Sequence, residues 1–239
     1  MTTAATALNR PKAPEEKLVR LYVWEWPVRI AHWVIFLSFI VLSVTGYYMY
    51  DPFLISRGSG AFVMGKIRFV HEATAFVFIA VFLLRVYWLF RGNKWARWSQ
   101  FVPIRRRQRQ NLVDMLQYYL LLRREPVSRI GHNPLAGATY SIVYALLLVE
   151  ILTGLALFNH ILHSKVLGVF IDWLPLLISV RYLREIHFLV MFTLAAFVIH
   201  HVYSAVLVGI EERSGLMGAI FSGYKFFPEN KVKEETSEQ

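Results

Sequence analysis

The 239-residue sequence has no cysteine, and acidic residues are scarce in it. Without cysteine the chain forms no disulfide bond and ligates no iron–sulfur cluster, so a redox role must use another ligand, of which histidine is the obvious candidate. Charged residues make up only 18% of the chain, and hydrophobic residues make up 56%. Because a soluble domain of this length is far less apolar, the composition indicates an integral membrane protein.

Charge is scarcest in four apolar runs, at residues 28–50, 67–90, 135–158 and 185–209. Each run has about 20 residues or more, which is enough to cross a hydrocarbon core of about 30 Å as a helix. The first run is not read as a cleaved signal peptide, because about 27 polar or mixed residues precede it and no small-residue cleavage site follows. We therefore predict an all-α membrane protein with four transmembrane helices in a bundle.

Basic residues concentrate between the second and third runs, whereas the loops after the first and third runs contain far fewer. The positive-inside rule therefore places this segment and both termini in the cytoplasm. The net charge of +10 then reflects topology, helped by anionic headgroups, and does not indicate a nucleic-acid partner. The basic residues of the segment are Arg91, Lys94, Arg97, Arg105, Arg106, Arg107, Arg109, Arg123, Arg124 and Arg129.

The composition divides the chain into a flexible cytoplasmic N-terminus (1–20), a transmembrane domain (21–227) and a charged cytoplasmic tail (228–239). Within the basic segment, residues 111–124 have helical apolar spacing and predict an interfacial helix. The last outer loop contains an apolar stretch at 165–180 that is broken by an aspartate and a proline. We expect it to lie on the membrane surface or against a partner, with a fifth crossing as the less favoured alternative.

Four histidines lie in or beside the apolar runs: His32, His71, His187 and His201. Ionisable residues are rare in membrane helices and usually functional. His187 and His201 are 14 residues apart, so they leave the same face of a helix about 21 Å apart along its axis. His200 lies about 220° round from His187, so we favour His201 as a ligand, although the sequence alone leaves the choice between the two open.

The predicted topology places these histidines at two depths. The first helix runs outward and the second and fourth run inward, so His71 and His187 form an outer pair, and His32 and His201 form an inner pair. Two imidazoles at one depth on facing helices are what a six-coordinate haem requires. Zinc usually needs three or four ligands, often including carboxylate or thiolate, which neither pair supplies in the sequence. The pattern therefore favours haem iron.

Arginine precedes three of these histidines by three residues, in the segments RIAH, RFVH and REIH. Residues with this spacing are neighbours on a helix surface, so Arg29, Arg68 and Arg184 are candidates to pair with haem propionates. Arginine is also common at membrane interfaces for other reasons, and this alternative stays open.

A Thr-Gly pair recurs near the outer ends of the first and third runs, in VTGYY and LTGLA. Gly46 and Gly154 leave room for something bulky against the backbone, although close helix packing explains them equally well. Glu150 lies deep in the third run, where an unpaired carboxylate costs at least about 2.5 kcal/mol. A protonated or internally hydrogen-bonded glutamate is a better explanation of it than a proton relay.

The motifs YVWEWPVRIAHW, VTGYYM, MGKIRFVHEATAFVF, RVYWLFRGNKWARW, GHNPLAG, LTGLALF, VIHHVY and SGYKFF occur in this order. Together they resemble the cytochrome b subunit of membrane-bound uptake nickel–iron hydrogenases, from about Tyr22 to Phe227. The chain is more distantly similar to the dihaem membrane subunit of respiratory formate dehydrogenase. Glu150 and His200 depart from the pattern expected of the family at those places.

The resemblance implies a multi-pass anchor in the inner cell membrane that binds two b-type haems through His32, His71, His187 and His201. Such a subunit has no catalytic residue of its own. It receives electrons from the iron–sulfur small subunit of a hydrogenase, whose large subunit holds the nickel–iron site, and it delivers them to quinone. In the related formate dehydrogenase subunit an asparagine before the third helix lies near the quinone, and Asn133 is the nearest match here.

Three alternatives remain at this stage. The same electron carrier can serve another dehydrogenase, with formate or thiosulfate chemistry. The histidines can instead bind a transition metal in a transporter, which would lack a haem absorption band. The chain can also be an anchor without a cofactor, in which case replacing His71 would leave electron transfer intact.

Overall fold

The structure is a computed structural model that describes residues 17–53, 62–103, 106–124, 130–131, 134–212, 214–230 and 232–233. In chain order its elements are β1 (Leu18–Tyr22), α1 (Trp26–Tyr50), α2 (Val63–Arg91), α3 (Arg106–Tyr119), α4 (Pro134–Leu162), α5 (Lys165–Ile171), α6 (Trp173–Leu177), α7 (Val180–Glu212), α8 (Leu216–Ser222) and β2 (Tyr224–Pro228), with a short 3-10 turn at Trp98–Gln100.

Among the described residues, four helices are long and apolar enough to cross a membrane: α1, α2, α4 and α7. This confirms the predicted number and order of membrane-crossing helices. Each helix is longer than its apolar run, and the added residues of α2, α4 and α7 include polar ones. In α7, for example, Arg181 and Glu185 form an exposed ion pair of 3.0 Å one turn apart before the apolar residues begin. Pro27 lies in the first turn of α1, where its missing N–H costs no hydrogen bond.

The four long helices form a bundle in which α1 packs against α2 and α4 packs against α7. The middle of the bundle is apolar: Phe78 and Phe82 of α2, Leu147 of α4 and Leu194 of α7 form one buried cluster. Leu194 lies seven residues from both His187 and His201, so this cluster occupies the depth between the outer and inner pairs. Outward-facing side chains of these helices are large, apolar and exposed, as is expected of a surface that contacts lipid.

The inner end of the bundle carries a folded cap. Strands β1 and β2 pair antiparallel, with Leu18 opposite Pro228 and Tyr22 opposite Tyr224. Beneath them Val23, Trp24, Trp95, Ala96, Ile130 and Phe227 belong to one buried cluster. Lys225 is buried there, and its Nζ donates hydrogen bonds of 3.4 and 3.3 Å to the carbonyl oxygens of Ile130 and Gly131.

The predicted transmembrane domain, residues 21–227, therefore begins within β1 and ends within β2. The N-terminal segment was expected to be flexible up to residue 20, but β1 begins at Leu18, and Pro228, which was expected in the tail, is the last residue of β2. The pairing joins segments more than 200 residues apart, so local composition carries no sign of it. Of these two predicted segments, residues 1–16, 231 and 234–239 lie outside the described part of the chain.

The predicted interfacial helix is present as α3, but it begins and ends five residues earlier than the expected 111–124. Leu121 lies two residues after its last residue and has a left-handed φ of 62°, which cannot continue a helix. The apolar stretch at 165–180 forms α5 and α6, of 7 and 5 residues, which are too short to cross a membrane. Asn159 at the end of α4 donates a 2.7 Å hydrogen bond to Asp172 between these two helices and ties them to the bundle.

Candidate cofactor site: two pairs of histidines

The bundle brings the four predicted histidines together as two pairs. His71 of α2 and His187 of α7 form the outer pair, with ring centres 6.5 Å apart. His32 of α1 and His201 of α7 form the inner pair, with ring centres 6.3 Å apart. All four rings are half-buried between helices. Each pair therefore joins two helices that are distant in sequence, and α7 contributes to both.

The spacing within each pair fits one metal ion held between two imidazoles. A ligating imidazole nitrogen lies about 2 Å from its metal, so the centres of two rings on one ion are about 6 Å apart. Among the described residues no group of three or more His, Asp or Glu side chains is placed to hold a metal ion. Each pair thus offers two protein ligands, which is the number that a haem iron needs from the protein.

Ring spacing alone does not define a site. His160 and His163, at the end of α4, also have ring centres 6.3 Å apart, but both side chains are exposed and they come from one chain segment. No role was predicted for them. The outer and inner pairs differ because each lies between two membrane-crossing helices, where an ionisable side chain is rare and usually functional.

The outer pair is supported by the repeated Thr-Gly motif. Thr45 Oγ1 of α1 lies 2.8 Å from His71 Nδ1, and Thr153 Oγ1 of α4 lies 2.9 Å from His187 Nδ1. The glycines that follow these threonines lie directly against the same two rings. In the sequence, the repeat suggests a role only for the glycines. The recurrence of the same dipeptide on two helices was the signal that could have revealed the threonines.

The inner pair is surrounded mainly by aromatic side chains. Phe197 stacks on His201 with ring centres 5.5 Å apart, and Trp33 meets His32 edge-on at 5.3 Å. Tyr140 OH lies 3.3 Å from His201 Nδ1, which is long for a hydrogen bond involving a hydroxyl. His32 Nδ1 is buried and has no hydrogen-bond partner within the described ranges.

The structure separates His200 from His201. The His200 side chain is exposed, and its Nε2 lies 3.4 Å from Ser204 Oγ one turn further along α7. The His200 ring therefore lies on a different face of α7 from the His201 ring, which pairs with His32. Asn133, the predicted quinone contact, lies outside the described residues, as does His132.

The three arginines that precede histidines differ in their surroundings. Arg29 is hydrogen-bonded through NH1 to the carbonyl oxygen of Phe221 in α8. Its Nε is buried, and no described residue pairs with it. Arg68 and Arg184 are exposed near the outer ends of α2 and α7. Pairing of these three residues with propionates stays a prediction.

Two further ionisable side chains lie within the bundle, Glu150 half-buried and Arg85 buried. Glu150 Oε2 is 3.5 Å from His187 Nδ1, beyond good hydrogen-bonding distance, and makes no hydrogen bond to the described residues. Arg85 was missed by the sequence analysis, although a charge inside an apolar run was a visible signal. Its side chain is buried and its guanidinium lies 5.6 Å from the ring centre of Phe101 and 5.9 Å from that of Tyr144.

Comparison with known proteins gives consistent matches over almost the whole chain. The family described as prokaryotic cytochrome b561 matches residues 23–223. A protein of Bradyrhizobium diazoefficiens named "Probable Ni/Fe-hydrogenase B-type cytochrome subunit" is 36% identical over 87% of this chain and 86% of its own. The protein of the same name from Rhodobacter capsulatus is 33% identical over 89% of this chain and 84% of its own. An Escherichia coli K12 protein, "Probable Ni/Fe-hydrogenase 1 B-type cytochrome subunit", is 32% identical over 92% of this chain and 97% of its own.

Proposed function

The chain belongs to the prokaryotic cytochrome b561 family, and on this premise we propose that it is a dihaem electron-transfer subunit of a nickel–iron hydrogenase. One haem b is held by the outer pair, His71 and His187, and a second by the inner pair, His32 and His201. The observation that carries this proposal is the placement of two histidine pairs, with ring centres 6.5 and 6.3 Å apart, between membrane-crossing helices.

The histidines decide what kind of chemistry each site can perform. Bound haem supplies a one-electron redox couple at each site. The two histidines of each pair would hold the iron and leave it no open position for oxygen or another small ligand, so the group would supply electron transfer only. His187 and His201 lie on the same helix about 21 Å apart along its axis. The chain therefore carries electrons across the bilayer and has no catalytic residue of its own.

The partners follow from the names of the relatives. Three proteins that match most of this chain are named as B-type cytochrome subunits of nickel–iron hydrogenases. We therefore assign the electron donor to the iron–sulfur small subunit of such an enzyme, with the nickel–iron site in its large subunit. The basic segment between α2 and α4 orients the inner pair toward the cytoplasm and the outer pair toward the hydrogenase. The membrane is accordingly the inner cell membrane.

Quinone is the proposed electron acceptor, at the inner end of the bundle. The aromatic surroundings of His201, formed by Phe197 and Tyr140, are compatible with a flat hydrophobic head group nearby. Asn133, which lies outside the described residues, is the residue before Pro134 in the sequence and stays the predicted quinone contact. Service to another respiratory dehydrogenase, such as formate dehydrogenase, is the weaker candidate, because the named relatives point to hydrogenase.

A single spectroscopic experiment tests the proposed function. The membrane complex is purified, its haem is quantified, and reduced-minus-oxidised absorption spectra are recorded before and after hydrogen is supplied. We expect about two b-type haems per chain, from four ligands at two per iron, and both should be reduced by hydrogen. A preparation with a full complement of this chain but no haem absorption would refute the proposal, and haems that only formate can reduce would favour the other dehydrogenase.

A further inference from the structure

The outer pair is held by two equivalent sets of contacts that the proposed function does not by itself explain. Thr45 and Gly46 of α1 contact His71, and Thr153 and Gly154 of α4 contact His187. Both threonines are buried. The two sets come from different helices and meet different partners, so helix packing alone gives no reason for the same dipeptide at both places.

We propose that Thr45 and Thr153 are positioning residues that fix the tautomer of both outer histidines and lower the reduction potential of the outer haem below that of the inner haem. This inference rests on the proposed function, because it assumes that the two pairs bind haem.

The position of the threonine protons sets the direction of the hydrogen bonds. Thr45 Oγ1 lies 2.6 Å from the carbonyl oxygen of Val41, and Thr153 Oγ1 lies 2.8 Å from that of Val149. Two oxygen atoms this close need a proton between them, and a carbonyl has none to give. Each hydroxyl therefore donates to its own helix, and its oxygen accepts from the histidine. The proton of the ring must then reside on Nδ1.

The position of the ring proton decides which nitrogen is left for the iron. A neutral imidazole protonated at Nδ1 has its remaining lone pair on Nε2. That nitrogen is then the one available to the iron.

The glycines allow the rings to approach the helices closely. A Cβ atom at Gly46 would lie 3.3 Å from His71 Cε1, and a Cβ atom at Gly154 would lie 3.1 Å from His187 Cε1. Both distances are shorter than ordinary van der Waals contact. A larger residue in place of either glycine would push the histidine ring away from the neighbouring threonine. Each Thr-Gly pair therefore acts as one unit, in which glycine admits the ring and threonine orients it.

The inner pair lacks this arrangement in the described part of the chain. His32 Nδ1 has no hydrogen-bond partner there, and the contact of His201 Nδ1 with Tyr140 OH is 3.3 Å long. A hydrogen bond from Nδ1–H makes the imidazole a stronger electron donor, which favours ferric over ferrous iron. Both outer ligands have such a bond and the inner ligands have at best one weak bond. Electrons that enter at the outer side therefore move to the inner haem with a favourable driving force.

The test uses isosteric substitutions in the purified complex. Thr45→Val and Thr153→Val remove the hydroxyl but keep the side-chain shape, and Thr45→Ser and Thr153→Ser keep the hydroxyl. Thr193→Val is the matched control, because Thr193 on α7 is exposed and its Oγ1 donates a 3.0 Å hydrogen bond to the carbonyl oxygen of Leu189 in the same helix. The readouts are a spectroelectrochemical titration of both haems, the electron paramagnetic resonance spectrum of the ferric state, and the haem content.

We expect the haem component that disappears in His71→Ala to have the lower potential in the unmodified protein. Both valine variants should raise that potential, change the ferric spectrum of the same haem, and weaken retention of the outer haem by about 10-fold to 100-fold. The serine variants and Thr193→Val should behave like the unmodified protein. Loss of only the outer haem in the valine variants would support the positioning role in the same way.

Two results would overturn the inference without affecting the proposed function. The first is a Thr45→Val, Thr153→Val double variant that retains both haems with unchanged potentials and ferric spectra. The second is a lower potential for the haem that His32→Ala removes. If instead the unmodified complex contained no haem, the proposed function itself would fail.

Discussion

The outer and inner ends of the bundle hold equivalent pairs of histidines by different means. At the outer end, two threonine hydroxyls hydrogen-bond the rings, and two glycines let the rings lie against the helices. At the inner end, Phe197 and Trp33 pack on the rings, and a cap of two strands and α8 closes the bundle. The two pairs therefore have nearly equal ring spacing but different surroundings. Threonine hydroxyls contact the outer rings, whereas aromatic side chains surround the inner rings.

Removing one ligand from each end should produce the largest effect. His71→Ala should lower the haem content from about two to about one per chain and leave the inner haem, because bis-histidine ligation needs both rings. His32→Ala should do the reverse. Pyridine haemochrome quantitation together with redox titration measures both results.

The control for these variants is His200→Ala, since the exposed His200 ring contacts Ser204 and not the inner pair. It should retain both haems. Loss of the inner haem in His200→Ala, with retention in His201→Ala, would show that the wrong member of the adjacent pair had been assigned.

A methyl group at the outer glycines should have the next largest effect. Gly154→Ala places a Cβ 3.1 Å from His187 Cε1, and such overpacking typically costs about 1–3 kcal/mol. We expect a preparation with partial loss of the outer haem, measured as haem per chain. Gly46→Ala should follow the same direction with a smaller loss, because its contact is 3.3 Å.

Gly65→Ala is the matched control on α2, where a Cβ would meet nothing within 4 Å. Alanine in a helix is favoured over glycine by about 0.5–1 kcal/mol, so this variant should retain full haem and be slightly more resistant to thermal unfolding. Equal haem loss in Gly65→Ala and Gly154→Ala would remove the distinction that we draw between the outer glycines and the others.

Replacing Lys225, the buried cation of the cap, should destabilise the inner end of the bundle and leave the outer end unchanged. Lys225 donates to the carbonyls of Ile130 and Gly131 and lies over the rings of Trp24 and Phe227. Lys225→Met keeps most of the apolar volume but leaves those carbonyls without the donor, at a cost of about 1–3 kcal/mol. Limited proteolysis should cut the cap of this variant faster, while the spectrum of the outer haem stays unchanged. A change at the outer haem would mean that the two ends are coupled.

Tyr140→Phe should have the smallest effect. The hydroxyl of Tyr140 is 3.3 Å from His201 Nδ1, so little electron donation depends on it, and the aromatic packing is retained. The potential of the inner haem should move less in Tyr140→Phe than that of the outer haem moves in Thr45→Val, as followed by redox titration. A larger shift at the inner haem would reverse the proposed difference between the two ends.

Much of the fold could be predicted because it depends on short-range properties. The length of the apolar runs predicts four crossings, and the helical repeat predicts that His187 and His201 share a face. The strand pairing could not be predicted, since Leu18 and Pro228 meet only when the bundle brings the two ends of the chain together. Arg85 is visible in the sequence as a charge inside an apolar run, but its burial against Phe101 and Tyr144 could not be predicted, because it depends on how these segments pack together.

The amino-acid sequence by itself determined the number of membrane helices and the depths at which histidines occur, because both follow from counting residues along a regular helix. Only the tertiary structure decided which hydroxyl meets which ring. Thr45 reaches His71 across the contact of α1 with α2, and Thr153 reaches His187 across the contact of α4 with α7. Those contacts depend on the rotation of each helix about its axis, which is set by packing against its neighbours and not by the periodicity of any single helix.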